Sequence, residues 1–399
     1  MHFYLKHTIF ILISICLLTN DSKARTIRVG FLSDTLQMEV QDDMNVSFDD
    51  SLSDGCISYF YDQINLADWQ SLVKQLQSFK TLYQLNDWLY YQLIRKTAQQ
   101  LSPKADNYHR YTLYKWFLLC KSGYDATLSY STNYLLFYVR SEDNIYGIPY
   151  FERDQHQYIC LNYHDYGKID FSKETVIETT VRIKEGCQPF SYKITQMPDF
   201  KPADYAVKNL RFDYQDNAYH FKVKLNPEVK ALFANYPVAD FGTYFNIPLS
   251  KETYGSLIPE LKKNIGNMSQ KQGVDFLMRF TRYSFLFEND QMNFGQEKRL
   301  SPEQTLLYEH SDCDDRAALF FYLVKEIYDL PMIVLLYPTH VTIAVEFAKP
   351  VGKPIVYKGK SYSICDPTPQ IRDNDIGYID KHLKHSNFEV VYEYNPVRK

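Results

Sequence analysis

Three residue types that perform nucleophilic chemistry follow one another in the last third of the chain: a thiol at Cys313, an imidazole at His340 and a carboxylate at Asp366. Each lies at the edge of a different predicted element. A cysteine paired with a histidine that a carboxylate orients is an arrangement that attacks carbonyl carbon. We therefore ask whether the elements around them can bring the three side chains together.

Cys313 falls at the start of a predicted helix. Apolar residues recur at helical spacing after it, and Leu330-Pro331 ends the pattern. Ser311 with Asp314 reads as a capping box. The free backbone N–H groups of such a helix end favour negative charge, so they would lower the thiol pKa and hold an oxyanion. Asp312, Asp314 and Asp315 crowd the same turn and oppose a thiolate, so activation would have to come mainly from the helix end and from His340.

The histidine and the carboxylate belong to predicted strands. Residues 332–337 are continuously apolar, and from His340 onwards apolar and polar residues alternate, with His340 away from the apolar face. Residues 356–365 predict a hairpin that turns at Lys358-Gly359-Lys360, and Asp366 ends its second strand. Cys365 should face the opposite side. A helix start that packs on these strands would bring Cys313, His340 and Asp366 together.

The segment 272–368 resembles the transglutaminase-like superfamily, which is papain-like in architecture. The resemblance rests on SDCDDRA from Ser311, HVTIAVEF from His340 and DPT from Asp366. It implies that Cys313 is the nucleophile, His340 the general base and acid, and Asp366 the orienting residue. It also implies an α+β fold in which a helix packs on an antiparallel sheet.

The chain departs from calcium-dependent members of that superfamily, which use a tryptophan to bind the oxyanion. All three tryptophans lie far upstream, at Trp69, Trp88 and Trp116. The second oxyanion donor is therefore open, and the candidates are Gln304, Tyr283 and Tyr308.

Neighbouring residues also have ordinary structural interpretations. His310 is expected to face solvent or to cap the helix, with a competing role as base as the alternative. Arg316 and Lys325 are expected to form a solvated helix face. No CxxC or His-x-x-x-His pair is present, so we predict no metal and no cofactor.

Composition and the N-terminus restrict the class of protein. The 399 residues are 45% hydrophobic, which fits two to three globular domains. The net charge of −4 gives no indication of the basic surface that nucleic-acid binding requires. Residues 1–24 read as a signal peptide, with an apolar run at 8–18 and cleavage before Arg25. We predict an exported bacterial protein, periplasmic, at the cell surface or extracellular, without a transmembrane segment after cleavage.

Six cysteines would remain after cleavage, too few for a disulfide-dense scaffold. Cys120, Cys160 and Cys365 lie in apolar patterns and are predicted to be core residues. Cys56 and Cys187 have more polar surroundings and are candidates for a disulfide.

The domain prediction divides the mature chain into three parts. Residues 25–168 form an N-terminal α+β domain, 169–250 a β-rich, sandwich-like domain, and 251–399 the transglutaminase-like domain. The first part echoes the third: a helix ending in Tyr-Asp, two strands, and a later strand carrying cysteine. Alignment of the two Tyr-Asp pairs places His109, Leu136 and about Leu161 at the triad positions, as in a degenerate copy without chemistry. An unrelated α+β domain is the alternative.

The function expected from these features is an exported cysteine-dependent amide hydrolase, a peptidase or amidase. It would form a thioester and act on a protein, peptide or peptidoglycan-derived amide. The alternatives are a protein-glutamine acyltransferase that crosslinks proteins, and a non-catalytic binding or assembly protein that keeps the fold. The oligomeric state is not predicted.

Overall fold

The computed structural model describes residues 24–49, 51–288, 292, 298–369, 373–381 and 383–396. The predicted signal peptide lies outside the described residues except for Ala24. The fold is mixed α+β, with two curled antiparallel half-barrel sheets. A continuous hydrophobic core runs through both halves of the described chain.

The N-terminal half begins with a hairpin that packs on four helices, and a five-stranded sheet follows. Its elements are β1 Ala24–Phe31, β2 Asp34–Gln41, α1 Asp54–Leu66, α2 Trp69–Leu82, α3 Asp87–Leu101, α4 Tyr108–Lys121, β3 Ala126–Tyr130, β4 Leu135–Arg140, β5 Ile145–Tyr146, β6 Tyr150–Arg153, β7 His156–Cys160 and β8 Ile177–Glu178. The sheet order is β6-β7-β4-β3-β8. Most helices start at a side-chain cap, such as Asn86 for α3 and Asn107 for α4.

The C-terminal half contains the helices and the second five-stranded sheet. The elements are β9 Ala206–Tyr214, β10 Asn217–Leu225, α5 Glu228–Leu232, β11 Val238–Ala239, α6 Phe241–Phe245, α7 Lys251–Ile265, α8 Gln270–Tyr283, β12 Leu286–Phe287, α9 Pro302–Leu307, β13 His310–Ser311, α10 Cys313–Tyr328, β14 Met332–Tyr337, β15 His340–Glu346, β16 Ile355–Tyr357, β17 Lys360–Cys365 and β18 Glu389–Tyr394. The sheet order is β16-β17-β15-β14-β18.

The two five-stranded sheets have the same strand order, and each follows a helix. Their spacing is also the same: α4 starts at Tyr108 and α10 at Cys313, a shift of 205 residues (313 minus 108). The same shift relates the starts of β4 and β15 and the ends of β7 and β17. Tyr108, Leu135 and Leu161 therefore occupy the positions of Cys313, His340 and Asp366. The alignment on Tyr-Asp, which gave His109 and Leu136, was wrong by one residue at these two positions.

Residues 169–250 do not form the expected sandwich in the described chain. Their one long hairpin, β9–β10, packs on α8, where the rings of Phe212 and Phe276 lie 4.9 Å apart. In the stretch before it, β8 pairs with β3, and the rest hydrogen-bonds to the N-terminal half without forming further strands among the described residues; Phe190 N, for example, donates to Arg140 O at the end of β4. Alternation marks a half-buried extended segment, but it does not specify what pairs with the backbone.

The cysteine predictions had mixed outcomes. Cys120, Cys160 and Cys365 are buried core residues, as expected. Cys56 and Cys187 are both free thiols, one half-buried and one exposed, so the disulfide suggested for them is absent from the described structure.

Candidate active site

Cys313 is the first residue of α10 and is half-buried. The cap is one residue later than the sequence suggested. Asp312 is the N-cap, and it forms a capping box with Asp315 in place of the predicted Ser311 and Asp314. Ser311 instead belongs to the short strand β13, which pairs in parallel with β12.

Because Asp312 and not Ser311 is the N-cap, the backbone N–H groups of the first turn that can bind an oxyanion also differ from those expected. The Asp312 carboxylate accepts from the N–H groups of Asp314 and Asp315 at 3.0 and 3.4 Å. Asp315 in turn accepts from the N–H of Asp312 and of Leu300. Within the described residues no hydrogen bond takes up the Cys313 N–H, which makes it the first-turn amide that is available to a substrate oxygen.

The charges at this helix end oppose a resting thiolate. Burial raises the pKa of Cys313 above its ordinary value, and the carboxylates of Asp314 and Asp312 raise it further. The backbone amide of Val341 acts in the other direction by donating toward the sulfur. The thiol itself donates to Asp314 Oδ1 at 3.4 Å. Burial and these carboxylates therefore favour the protonated thiol over the thiolate.

His340 and Asp366 are in direct contact. Nε2 of His340 lies 3.0 Å from Oδ2 of Asp366, and both side chains are buried. Burial by itself lowers the pKa of the imidazole, but the hydrogen bond and charge of Asp366, together with Asp314 and Asp312, outweigh it and raise the pKa above 6.5. The contact leaves Nδ1 as the ring nitrogen for a second partner.

The structure brings Cys313 to the start of the histidine strand. Its sulfur lies against the amide of Val341, the residue after His340. In the described chain the thiol is hydrogen-bonded to Asp314, and no direct hydrogen bond joins it to the imidazole. The hydrogen bond from the thiol to Asp314 therefore has to break before thiol and ring can exchange a proton.

Asp366 is positioned by hydrogen bonds from Thr368 and Arg282, two residues that the sequence did not identify as part of the site. Oδ1 of Asp366 accepts from the Thr368 N–H at 3.1 Å. The buried guanidinium of Arg282 donates to the Asp366 carbonyl and also pairs with Asp373. Arg282 is thus a positioning residue. The sequence did not indicate this role for Arg282, because it lies in an amphipathic helix and its partners are more than 80 residues away.

Arg316 was predicted wrongly as part of a solvated face. It is fully buried in α10 and donates to the carbonyl groups of Thr281, Arg282 and Phe285 at 3.2, 2.7 and 3.0 Å. Burial lowers its pKa to about 10, so it remains charged at neutral pH. Arg316 fixes the end of α8 against the start of α10 and so helps to set the position of Cys313. Lys325 is half-buried and donates to Asn246 Oδ1 at 2.7 Å.

The competing base and the oxyanion candidates can now be placed. His310 Nδ1 lies 3.6 Å from a Glu288 carboxylate oxygen. The hydroxyl of Tyr283 donates to Asp373, and the Tyr308 ring packs beneath Lys230 and Lys298. Gln304 is buried, its side-chain oxygen accepts from Ser301 N, and its Nε2 has no hydrogen-bond partner in the described part of the chain. Among the described residues Gln304 thus has a side-chain donor that no other group uses.

The same turn contains a possible set of metal ligands. Asp312, Cys313 and Asp314 each offer one ligand atom, and these atoms lie within 4.8 Å of one another. Both carboxylates already bind protein groups: Asp312 caps the helix, and Asp314 Oδ2 lies 3.3 Å from Arg299 Nε. A cation would have to compete with these partners.

Comparison with known proteins adds no further assignment. No family model matches the chain, and neither a curated protein nor a solved structure matches it. The relation to the transglutaminase-like superfamily therefore stays a prediction that rests on the three motifs. Among the described residues, no helix has the length and apolar character needed to cross a membrane.

Proposed function

We propose that this protein is an exported cysteine-dependent amide hydrolase in which Cys313 is the nucleophile, His340 the general base and acid, and Asp366 the orienting residue. The observation that carries the proposal is the buried 3.0 Å contact between His340 Nε2 and Asp366 Oδ2, on the strand start against which the Cys313 sulfur lies. This geometry fixes the ring and leaves its Nδ1 for the thiol.

The first half-reaction starts from a protonated thiol. Neutral His340 accepts the proton from Cys313 as the sulfur forms a bond to the amide carbon, and the carbonyl oxygen becomes an oxyanion. The Cys313 N–H and Gln304 Nε2 are its proposed donors. The imidazolium, stabilised by Asp366, then gives the proton to the leaving nitrogen. The C–N bond breaks, an amine departs and a thioester remains.

The second half-reaction regenerates the enzyme. His340 accepts a proton from water, the hydroxide oxygen bonds to the thioester carbon, and the C–S bond breaks as the proton returns to sulfur. The product is a carboxylic acid. If a primary amine replaces water, the product is an amide and the protein is a crosslinking transglutaminase. Water is the simpler acceptor, because no residue identifies a second, amine-binding site.

The N-terminal half is proposed to be a degenerate copy that supports the catalytic half. At the positions of the triad it carries Tyr108, Leu135 and Leu161. The Tyr108 hydroxyl donates to Asp165 at 2.8 Å and accepts from Asn162 at 2.9 Å. A hydrogen-bonded tyrosine thus fills the place of the thiol, and no nucleophile and base meet there.

A second candidate function is recognition or assembly without chemistry. The observation in its favour is the resting state of Cys313, whose pKa is raised by burial, Asp314 and Asp312 and whose proton is donated to Asp314. On this alternative the sulfur stays unreactive at neutral pH and His340 has no influence on it.

Alkylation of Cys313 as a function of pH separates the two candidates. The mature protein is treated with iodoacetamide, and labelling of each cysteine is followed by mass spectrometry of the derived peptides. The accessible thiols Cys56 and Cys187 serve as internal standards. If His340 acts as base, Cys313 labelling rises with pH through the imidazole pKa, and His340→Ala removes that inflection while leaving the two standards unchanged. Identical Cys313 profiles in the two proteins would refute the base assignment.

The acyl acceptor is tested separately. A glutamine-containing protein is incubated with a fluorescent primary amine and the enzyme, with Cys313→Ala as control. Hydrolysis predicts release of ammonia or of a peptide amine without incorporation of the label. Cys313-dependent incorporation of the label would identify the acyltransferase instead.

A further inference from the structure

A large cleft lies between the N-terminal half and the start of the catalytic half. Its volume is about 750 Å³, and it is bounded on one side by the end of β7 and the loop that follows. On the other side it is bounded by residues 234–238, Tyr244, Lys298 and Arg299. This size is in the range of ligand-binding clefts in proteins. The cleft wall includes neither Cys313 nor His340.

The charge of this wall is opposite in sign to that of the chain. Lys168, Lys298 and Arg299 line the cleft, and the described residues of its wall include no aspartate or glutamate, although the protein as a whole has a net charge of −4. Within the described residues no carboxylate lies at ion-pair distance from Lys168, whereas Arg299 pairs with Asp314. A cationic cleft of this kind attracts an anionic ligand.

The described wall also contains six tyrosine and tryptophan residues, and three of them are fixed by hydrogen bonds. Tyr236 donates to the Tyr192 carbonyl at 2.6 Å, Tyr244 to the Pro237 carbonyl at 2.8 Å, and Trp88 to the Leu232 carbonyl at 2.8 Å. These three side chains are buried and support the wall, whereas the wall residue Tyr146 is 53% exposed. An exposed aromatic ring of this kind binds an extended chain at little entropic cost. The buried Tyr192 hydroxyl has no hydrogen-bond partner in the part of the protein that is described.

Arg299 connects the cleft to the candidate nucleophile. Its guanidinium lies over the Phe241 ring and donates to the Ala239 carbonyl at 2.7 Å, which fixes it in the wall. Its Nε lies 3.3 Å from Asp314 Oδ2, and the other oxygen of Asp314 accepts the Cys313 thiol. Arg299 therefore links the cleft wall to the turn that carries Cys313.

We propose that the cleft binds an acidic segment of a peptide or protein substrate, with its carboxylates at Lys168 and Lys298 and its backbone across the tyrosine wall. The proposal rests on the proposed function for the reaction at Cys313, and it adds the class of substrate. A carboxylate that approaches Arg299 would also compete with Asp314 and weaken the hold of Asp314 on the thiol.

Binding is measured without catalysis on the full mature chain carrying Cys313→Ala. The probe is a fluorescein-labelled peptide of alternating glutamate and glycine, and the comparison peptide has glutamine in place of glutamate. Fluorescence anisotropy is expected to give clearly tighter binding of the acidic peptide, weakened by added salt. The double variant Lys168→Ala/Lys298→Ala is expected to bind it at least about tenfold more weakly.

The matched control is Lys262→Ala/Lys263→Ala on the last turn of α7, which removes two charges away from the cleft. It should bind like the parent protein. Equal affinity for the two peptides, or equal weakening by both double variants, would overturn the proposal. An anionic polysaccharide that displaces the peptide and binds more tightly would replace the peptide assignment with a glycan.

The same reagents separate this proposal from the hydrolase. Acidic peptide that binds Cys313→Ala but is not cleaved by the wild-type protein supports the cleft and argues against the hydrolase. Cleavage at equal kcat/KM for acidic and neutral peptides supports the hydrolase and overturns the cleft assignment.

Discussion

Nε2 of His340 lies 3.0 Å from Oδ2 of Asp366, and the two buried side chains join the first residue of β15 to the end of β17. The pairing has a measurable consequence that does not depend on knowing a substrate. A buried imidazole beside a carboxylate is stabilised in its protonated form.

The first prediction concerns Asp366→Asn. Loss of the carboxylate leaves burial as the main influence, so the pKa of His340 should fall from its raised value to below 6.5. The asparagine oxygen can still accept from Thr368 N, which keeps the local backbone in place. NMR titration of the imidazole measures the change, and an unchanged pKa would contradict the assigned contact.

The same pair predicts a pH-dependent stability. Folding raises the pKa of His340, so the folded state binds the proton more tightly than the unfolded state does. The stabilisation is complete below about pH 6.5, the unfolded pKa, and is lost as the pH rises through the raised folded value. In urea unfolding at several pH values, the wild-type protein should have a larger free energy of unfolding than Asp366→Asn, and this difference should decrease as the pH rises.

The second prediction concerns Arg316→Met. The variant keeps a long apolar stem but leaves the buried carbonyl groups of Thr281, Arg282 and Phe285 without their donor. We expect a loss of about 3 kcal/mol in the free energy of unfolding, measured with urea. Arg211→Met is the matched control, because Arg211 is 65% exposed, and it should change stability by less than about 0.5 kcal/mol. Similar values for both would show that the buried contacts contribute little.

The third prediction concerns Gly273 in α8. A Cβ at this position would lie 1.6 Å from the Tyr328 hydroxyl oxygen, so Gly273→Ala forces the Tyr328 side chain to move and should destabilise the protein by about 1 kcal/mol or more. Gly255 in α7 has open space around it, and Gly255→Ala should raise stability by up to about 1 kcal/mol. In a Tyr328→Ala background Gly273→Ala should also become favourable, and failure of that reversal would contradict the steric explanation.

Sequence patterns located the parts of the site well where the signal is local. The strand that begins at His340 and the strand that ends at Cys365 lie where alternation and turn residues placed them, and Cys313 lies in the first turn of α10, as predicted, although the helix begins one residue later than its expected cap implied. Local patterns are informative here because each element must bury one face, and the period of the apolar residues reports that face.

The same local patterns could not predict contacts between residues that are far apart in the sequence. Arg316 looks like any charged helix residue, and its carbonyl partners lie in and just after the last turn of a different helix, 31 to 35 residues earlier. The choice of Asp312 over Ser311 as N-cap depends on Leu300 N binding Asp315, a contact between separate segments. The hydrogen bonds of residues 169–205 with the N-terminal half could not be predicted for the same reason, since alternation does not specify which segment pairs with the backbone.

The common strand order of the two sheets has a consequence for how this chain reaches its native state. An unfolded molecule contains two sets of strands that assemble in the same order, so β15 can also dock beside β3 or β7, the counterparts of its native neighbours β14 and β17. Such cross-half pairings would be kinetic traps. Refolding from urea should therefore show a slow phase that disappears when the halves are allowed to fold one after the other, as they do during synthesis.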